Sequence, residues 1–281
     1  MNDDLFLKSA EIIQDADGLL ITAGAGMGVD SGLPDFRGTD GFWNAYPALR
    51  QSGIHFQDIA CPDAFHATPE LAWGFYGHRL ALYRRTIPHC GFEILRHIAD
   101  RMPHGAFIFT SNVDGQFQKA GFVDERIYEC HGSIHHLQCL KPCKPSIWPA
   151  DFTPEIDDER CRMISPFPTC PDCGDLARPN IMMFGDWGWF DQRARVQANR
   201  LTDWRAKVKS PVIIELGAGI DIPSVRLFSE EQTRFGTLIR INPRAPQIPR
   251  SATGISLPLG ALPAMDGIND ALFALGFWDG S

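Results

Sequence analysis

Five short apolar runs set the rhythm of this chain: Gly18 to Ala23, Ala106 to Thr110, Arg126 to Cys130, Val212 to Leu216 and Thr237 to Ile241. Each is five or six residues long and mostly apolar on both parities, the pattern of a strand buried on two faces. Helical material or long insertions separate them, which favours a largely parallel sheet with ligands bound beyond the strand C-termini. Ahead of the first run, residues 3 to 17 set Phe6, Ala10 and Ile13 at helical spacing behind the capping candidates Asp3 and Asp4, predicting a short amphipathic helix. Residues 41–104 read as mainly helical, whereas 135–183, rich in Cys and Pro, lack the apolar periodicity needed for a core of their own. The expected architecture is α/β. A Rossmann-like domain from 1–40, 105–134 and 184–281 carries a helical module at 41–104 and a small inserted module at 135–183.

Chemistry-bearing residues gather at the ends of these runs. The first empties into Ala23-Gly24-Ala25-Gly26-Met27-Gly28-Val29-Asp30-Ser31-Gly32-Leu33-Pro34-Asp35-Phe36-Arg37-Gly38. Glycine lacks a Cβ and tolerates positive φ, so such a loop lets backbone N–H groups approach a pyrophosphate; tight strand-to-helix turns use glycine for packing alone. The second run ends in Thr110-Ser111-Asn112-Val113-Asp114, where polar side chains either meet a ligand or cap the next helix. The third ends at Cys130 and delivers His131 to the same sheet edge, ahead of Gly132 and Ser133. A lone histidine there is as readily structural as catalytic.

Cysteine usage adds a second kind of site. Cys170-Pro171-Asp172-Cys173-Gly174 is a knuckle that turns two thiolates toward one point, and Cys139 and Cys143 offer a second pair. Two to four intervening residues are common within structural zinc pairs, so the set Cys139, Cys143, Cys170 and Cys173 predicts a tetrahedral all-cysteine site that staples the 135–183 module. Four reduced loop cysteines are the alternative, with Cys161, His135 and His136 as substitute ligands for Cys143. A site closed by four thiolates has no position for water, so the metal is expected to be structural.

In order along the chain, GAGMGVDSGLPDFRG, Thr110 to Asp114, His131-Gly132-Ser133, the cysteine set, Arg178-Pro179-Asn180-Ile181-Met182-Met183-Phe184-Gly185-Asp186, Glu215-Leu216-Gly217-Ala218-Gly219 and Ile241-Asn242 follow the motifs of one family. The chain resembles the sirtuins, the NAD-dependent protein deacylases, from about residue 20 to residue 242, as a divergent bacterial-type member. The resemblance implies that NAD is a consumed co-substrate held by Gly24, Ala25, Gly26, Asp35, Phe36, Arg37, Ser111, Asn112, Asp114, Gly217, Gly219 and Asn242. It also implies His131 as the catalytic base, with Asn112 and Asp114 lining the nicotinamide pocket. Imidazole, with an ordinary pKa of about 6.5, can take a ribose hydroxyl proton at neutral pH and return one. The products would be nicotinamide, free lysine and O-acyl-ADP-ribose. An extended acyl-lysine substrate would pair along Ile181 to Met183, with Ile181, Met182 and Phe184 as substrate contacts.

Several positions depart from the family pattern. Gly28 replaces a serine, Ser111 a glutamine, Ala218-Gly219 a Thr-Ser pair and Asp186 a glutamate, which bears on NAD affinity and turnover more than on fold. Tyr76 and Arg79 share a helix face and resemble the YxxR signature of members that prefer succinyl- or malonyl-lysine. Against that, Trp73, Tyr76, Leu80 and Tyr83 form an amphipathic stripe in which Tyr76 simply packs. The implied activity is lysine deacylation, as a deacetylase or a desuccinylase/demalonylase. A mono-ADP-ribosyltransferase or NAD hydrolase is the rival within the fold, and a non-catalytic NAD-binding protein the rival outside catalysis.

Composition narrows the partners. A net charge of −8 over 281 residues disfavours direct nucleic-acid binding by general attraction. No apolar run approaches the length of a membrane span, and the acidic start lacks a signal peptide's basic region, so a cytoplasmic protein without membrane contact is expected. Its partners would be acyl-lysine-bearing proteins or peptides.

Overall fold

The apolar runs lie side by side in the computed structural model, which describes residues 2–34 and 39–278. Helix α1 (Asn2–Gln14) leads into β1 (Gly18–Ala23), which empties into a 3-10 turn at Ala25–Ser31. Next come α2 (Thr39–Ala45), α3 (Pro47–Gln51), α4 (Phe56–Ile59), α5 (Pro62–Ala67), the long α6 (Pro69–Arg85), α7 (Cys90–Asp100) and β2 (Ala106–Thr110). The short α8 (Gln116–Lys119) precedes β3 (Ile127–Glu129), β4 (Gly132–Cys139), β5 (Ile147–Pro149), β6 (Ile156–Asp157), β7 (Arg162–Met163) and β8 (Ala177–Ile181). The chain closes with α9 (Gln192–Arg205), β9 (Pro211–Leu216), α10 (Ser224–Gln232), β10 (Thr237–Ile241), β11 (Gly254–Leu257) and α11 (Ala261–Ala274).

The large sheet is parallel throughout, in the order β11-β10-β9-β1-β2-β3. Side chains alternate between its faces. Leu19, Ile21 and Ala23 pack with residues of α1, α7 and α11, whereas Leu20 packs with Leu201 and Trp204 of α9 and Val225 of α10. All five expected runs are strands of this sheet, to within a residue at each end. The sixth, β11, was not among the expected strands: Gly-Ile-Ser-Leu is too short and too polar to stand out, and it forms by adding to the edge of β10. Helix α7 lies inside the 41–104 stretch, yet its Phe92, Leu95, Ile98 and Ala99 are buried in the core of the large sheet.

The Cys-rich stretch shares a core with the helical module. Strands β5, β4 and β8 form a small antiparallel sheet, and Ile134, Leu137, Met163, Ala177 and Ile181 bury with Phe42, Leu49, Trp73 and Tyr76. The β6–β7 hairpin lies against α6. A Cβ on Gly74 would collide with the Cys161 carbonyl, and one on Gly77 would come within 2.8 Å of Ile156 Cδ1. Trp73 Nε1 donates to the Ala177 carbonyl at 3.0 Å, and Arg162 pairs with Glu70 at 2.7 Å. The eight-residue β4 is invisible to apolar periodicity because His135, His136 and Gln138 interrupt it. Among the described residues, no helix is long and apolar enough to cross a membrane.

Candidate active site

Chain order reverses between β1 and β9, with β2 and β3 on one side and β10 and β11 on the other. Beyond the C-termini of strands at such a switch point the connections diverge and leave a crevice. Gly24–Gly26 leave β1 and Gly217–Gly219 leave β9 at this place. The two loops interlock. Gly24 N–H donates to Leu216 O and Gly26 N–H to Gly217 O; a Cβ on Gly24 would lie 2.7 Å from Gly217 O, and Gly217 itself has φ +60°. Glycine is required here first by the contact between the loops, which makes packing, rather than phosphate approach alone, the reason for three of these residues. The crevice holds two cavities that share Ala25 as a common wall, one of about 270 Å³ and one of about 320 Å³.

The larger cavity is lined by Gly26, Asp30, Gly217, Gly219, Asn242 and Arg244. Gly24 lines neither cavity. Asn242, expected among the residues that hold NAD, lines this cavity, and its amide bridges two loops: Nδ2 donates to Ala218 O at 2.8 Å, and Oδ1 accepts from the Arg244 and Ala245 N–H groups. It shapes the wall through these bonds.

Ser111, Asn112, Asp114 and His131 all line the smaller cavity, as do Tyr76, Arg79, Ile181, Met182 and Phe184. Asn112 Nδ2 donates to Gly24 O at 2.9 Å, tying the β2 end to the glycine loop. Asp114 Oδ1 accepts the Gln116 N–H at 2.9 Å, so the capping role and the pocket position coexist in one carboxylate. Burial pushes the Asp114 carboxyl up to about 6 from 3.8, helped by the charge of Glu129; the Gln116 N–H and the Arg79 charge act in the opposite direction. The fold thus favours the protonated form, and the resulting stabilisation, present in full below about pH 4, is lost as pH rises to about 6. Asp114→Asn keeps an acceptor for Gln116 and removes the buried charge. At pH 7.5 it is expected to raise unfolding free energy by about 2–3 kcal/mol, a gain that shrinks toward zero below pH 4 in urea titrations. A gain independent of pH would show that burial of the charge is not the cause.

His131 follows β3, with Ser224 Oγ 3.4 Å from its Nε2. Ser224, at the start of α10, lines the same cavity and had no sequence signal, because it comes from a distant loop. At the opposite wall, the Arg79 guanidinium lies 5.2–5.6 Å from the ring centroids of Phe75, Tyr76 and Tyr83 and is only 8% exposed. Burial raises the Tyr76 phenol well above the ordinary tyrosine range. Asp35, Phe36 and Arg37, expected in the cofactor loop, lie outside the described residues.

The expected peptide edge adjoins this cavity. β8 is the edge strand of the small sheet, but the N–H groups of Met182, Met183 and Phe184 donate to His131 O, Asp186 Oδ2 and Ala60 O. An extended peptide pairing along 182–184 cannot use those donors in this arrangement. Asp186 also holds Arg178 through two 2.8 Å bonds, at 0% and 1% side-chain exposure, which fixes the turn that carries Phe184.

The four expected cysteines converge. Cys139, at the end of β4, has its Sγ 3.6 Å from that of Cys173; Cys143 and Cys170 are likewise 3.6 Å apart, and all four sulfurs lie within 4.8 Å of one another. Four thiolates at about 2.3 Å from a tetrahedral zinc have edges of about 3.8 Å, so the donor set fits that ion with little movement. All four are free thiols rather than disulfides.

Comparison with known proteins matches residues 24–203 to the model of the Sir2 family. The chain belongs to the Sir2 family. A protein of Aquifex aeolicus named NAD-dependent protein deacylase is 28% identical over 239 residues, spanning 83% of this chain and 87% of that protein. One of Archaeoglobus fulgidus, NAD-dependent protein deacylase 1, is 28% identical over 242 residues, covering 86% of each. Among solved structures, a Sir2 homologue in complex with NAD superposes with a TM-score of 0.72 over 95% of this chain and 94% of that one, at 24% identity, which shows the shared fold.

Departures from the Sir2 pattern have local physical partners in this chain. A Cβ on Gly28 would stand 2.9 Å from Leu33 Cδ1, so the missing serine goes with a leucine that fills its place. Ala218, the middle residue of the Gly217–Gly219 loop, is fully buried against Gly24 of the other loop. Asp186 is short enough to chelate Arg178 while accepting from Met183 and Gly188 N–H groups.

Proposed function

We propose that this chain is an NAD-dependent protein lysine deacylase whose acyl pocket accepts a carboxylated acyl group. One observation carries the reading: His131, Asp114 and Arg79 line a single cavity beyond the parallel sheet's switch point, beside a second cavity along the glycine loops. NAD is a substrate here, its adenosine end beside Gly217 to Asn242 and its nicotinamide end toward Asn112 and Asp114. The Sir2 relatives, named as NAD-dependent deacylases, support the use of NAD. His131 takes a ribose hydroxyl proton and later returns one, and the acyl-lysine enters past the cavity-lining residues Ile181, Met182 and Phe184, without pairing to the occupied N–H groups of 182–184, with its acyl end toward Arg79. The closed four-cysteine site supplies no open metal position, so zinc holds the module and leaves the chemistry to His131. Cysteines kept reduced to bind a metal suit a reducing compartment, and we assign the activity to the cytoplasm.

Incubation with NAD and acetyl- or succinyl-lysine peptides, followed by mass spectrometry, tests the reaction. Deacylated peptide with O-acyl-ADP-ribose is expected; ADP-ribose with intact peptide would indicate a hydrolase or ADP-ribosyltransferase, and unchanged NAD a binding protein. Arg79→Met tests the pocket. A succinyl carboxylate buried without its partner should cost on the order of 3–5 kcal/mol, or about 10²–10³-fold and more in kcat/KM, whereas acetyl-lysine should lose little. Equal losses on both peptides would remove the carboxylate assignment.

A further inference from the structure

One helical turn beyond Arg79, the Tyr83 hydroxyl accepts hydrogen bonds from Arg79 Nε at 3.0 Å and Nη2 at 2.9 Å. A guanidinium offers carboxylates two planar forks, the Nε–Nη2 edge and the Nη1–Nη2 edge. Tyr83 fills the first, so the second is the edge turned away from it. The rings of Phe75 and Tyr76, at 5.2 and 5.6 Å, restrict the remaining freedom of the group. Tyr83 is itself fixed: its main-chain carbonyl accepts from Gln116 Nε2 at 3.0 Å, and Gln116 is the residue whose N–H binds Asp114. Tyr83 and Arg79 both line the cavity that contains His131.

We propose that Tyr83 is a positioning residue for acyl choice, which by filling the Nε–Nη2 fork presents the other edge of Arg79 to the carboxylate of a succinyl- or malonyl-type substrate. The proposal rests on the reading of Arg79 as carboxylate receptor. A donor pair already oriented costs a bound carboxylate less ordering, so the effect falls on substrate binding. An acetyl group carries no carboxylate and gains nothing from it.

The test uses the full chain with saturating NAD and compares kcat and KM on succinyl- and acetyl-lysine peptides for the parent, Arg79→Met and Tyr83→Phe. Phenylalanine keeps the ring beside the guanidinium and removes the hydroxyl that accepts from Arg79. KM for the succinyl peptide should rise about tenfold more than KM for the acetyl peptide, as expected for a hydrogen bond to a charged group, so the loss shows in the ratio of the two. Peptide affinity measured by calorimetry should show the same selective loss, and thermal melts establish that the variant is folded. A residue that merely packs would depress both substrates alike. An unchanged or higher succinyl-to-acetyl ratio in Tyr83→Phe, with Arg79→Met still selectively impaired, overturns the role of Tyr83 and leaves the deacylase reading in place. Arg79→Met without selective loss overturns the receptor itself, and with it the role of Tyr83. Should Tyr83→Phe fail to fold, Tyr83→Met provides the same ratio, with the same two outcomes.

Discussion

His131→Ala is expected to abolish deacylation while nicotinamide exchange between NAD and labelled nicotinamide remains measurable. In the proposed reaction the amide oxygen attacks the sugar before any base is needed, so the reversible first step should survive the loss of the imidazole. What fails is the later transfer, which depends on removal of a ribose hydroxyl proton. General acid–base catalysis contributes about 10²–10⁴-fold, which sets the expected loss in kcat. The location fits that division of labour: His131 stands at the end of β3 in the same cavity as Asn112 and Asp114, with Ser224 3.4 Å from Nε2. Deacylation by the variant at the parent rate would remove the base assignment. Loss of exchange together with deacylation would mean that the imidazole is needed to bind NAD.

Loss of the metal should have the largest effect on stability. Purified protein is expected to carry one zinc, and Cys170→Ser or Cys173→Ser should release it and unfold at least the 135–183 region. Isolated zinc modules draw about 10–16 kcal/mol of apparent free energy from the metal, because few of their residues can bury a core. Here the consequence reaches further. The small sheet shares its apolar core with α6, whose Tyr76 and Arg79 line the cavity that contains His131, so chelation should reduce deacylation as well as the melting temperature. Metal analysis beside thermal melts with and without chelator checks this, and a metal-free, folded, fully active preparation would refute it.

Much of the site was legible because its residues sit where strands end. Strand ends are marked by a switch from apolar to Gly and polar residues, and a parallel sheet aligns all its C-termini on one edge. That is why Ser111, Asn112, Asp114 and His131, read from separate runs, line one cavity. The four-cysteine cluster was legible for a similar reason, since knuckle spacing and thiolate chemistry are local properties. Ser224 and Tyr83 were not. Ser224 reaches His131 from 93 residues away, and Tyr83 looked like one more aromatic in an amphipathic stripe.

By itself the sequence determined the parallel sheet, the family motifs, the cysteine ligand set and the histidine at the sheet edge. These follow from local rules: burial period, the freedom of glycine, and ligand spacing. Tertiary structure alone decided why the glycines are there, which fork of Arg79 is occupied, that α7 belongs to the sheet, and that the amide of Asn242 bridges loops. Each of these depends on what a distant segment brings into contact. Gly24 is set against Gly217, Phe92 against Phe117, Arg79 within an aromatic cage and Asn242 against Ala218. A side chain's donors and acceptors are assigned by packing, which no local pattern of residues encodes.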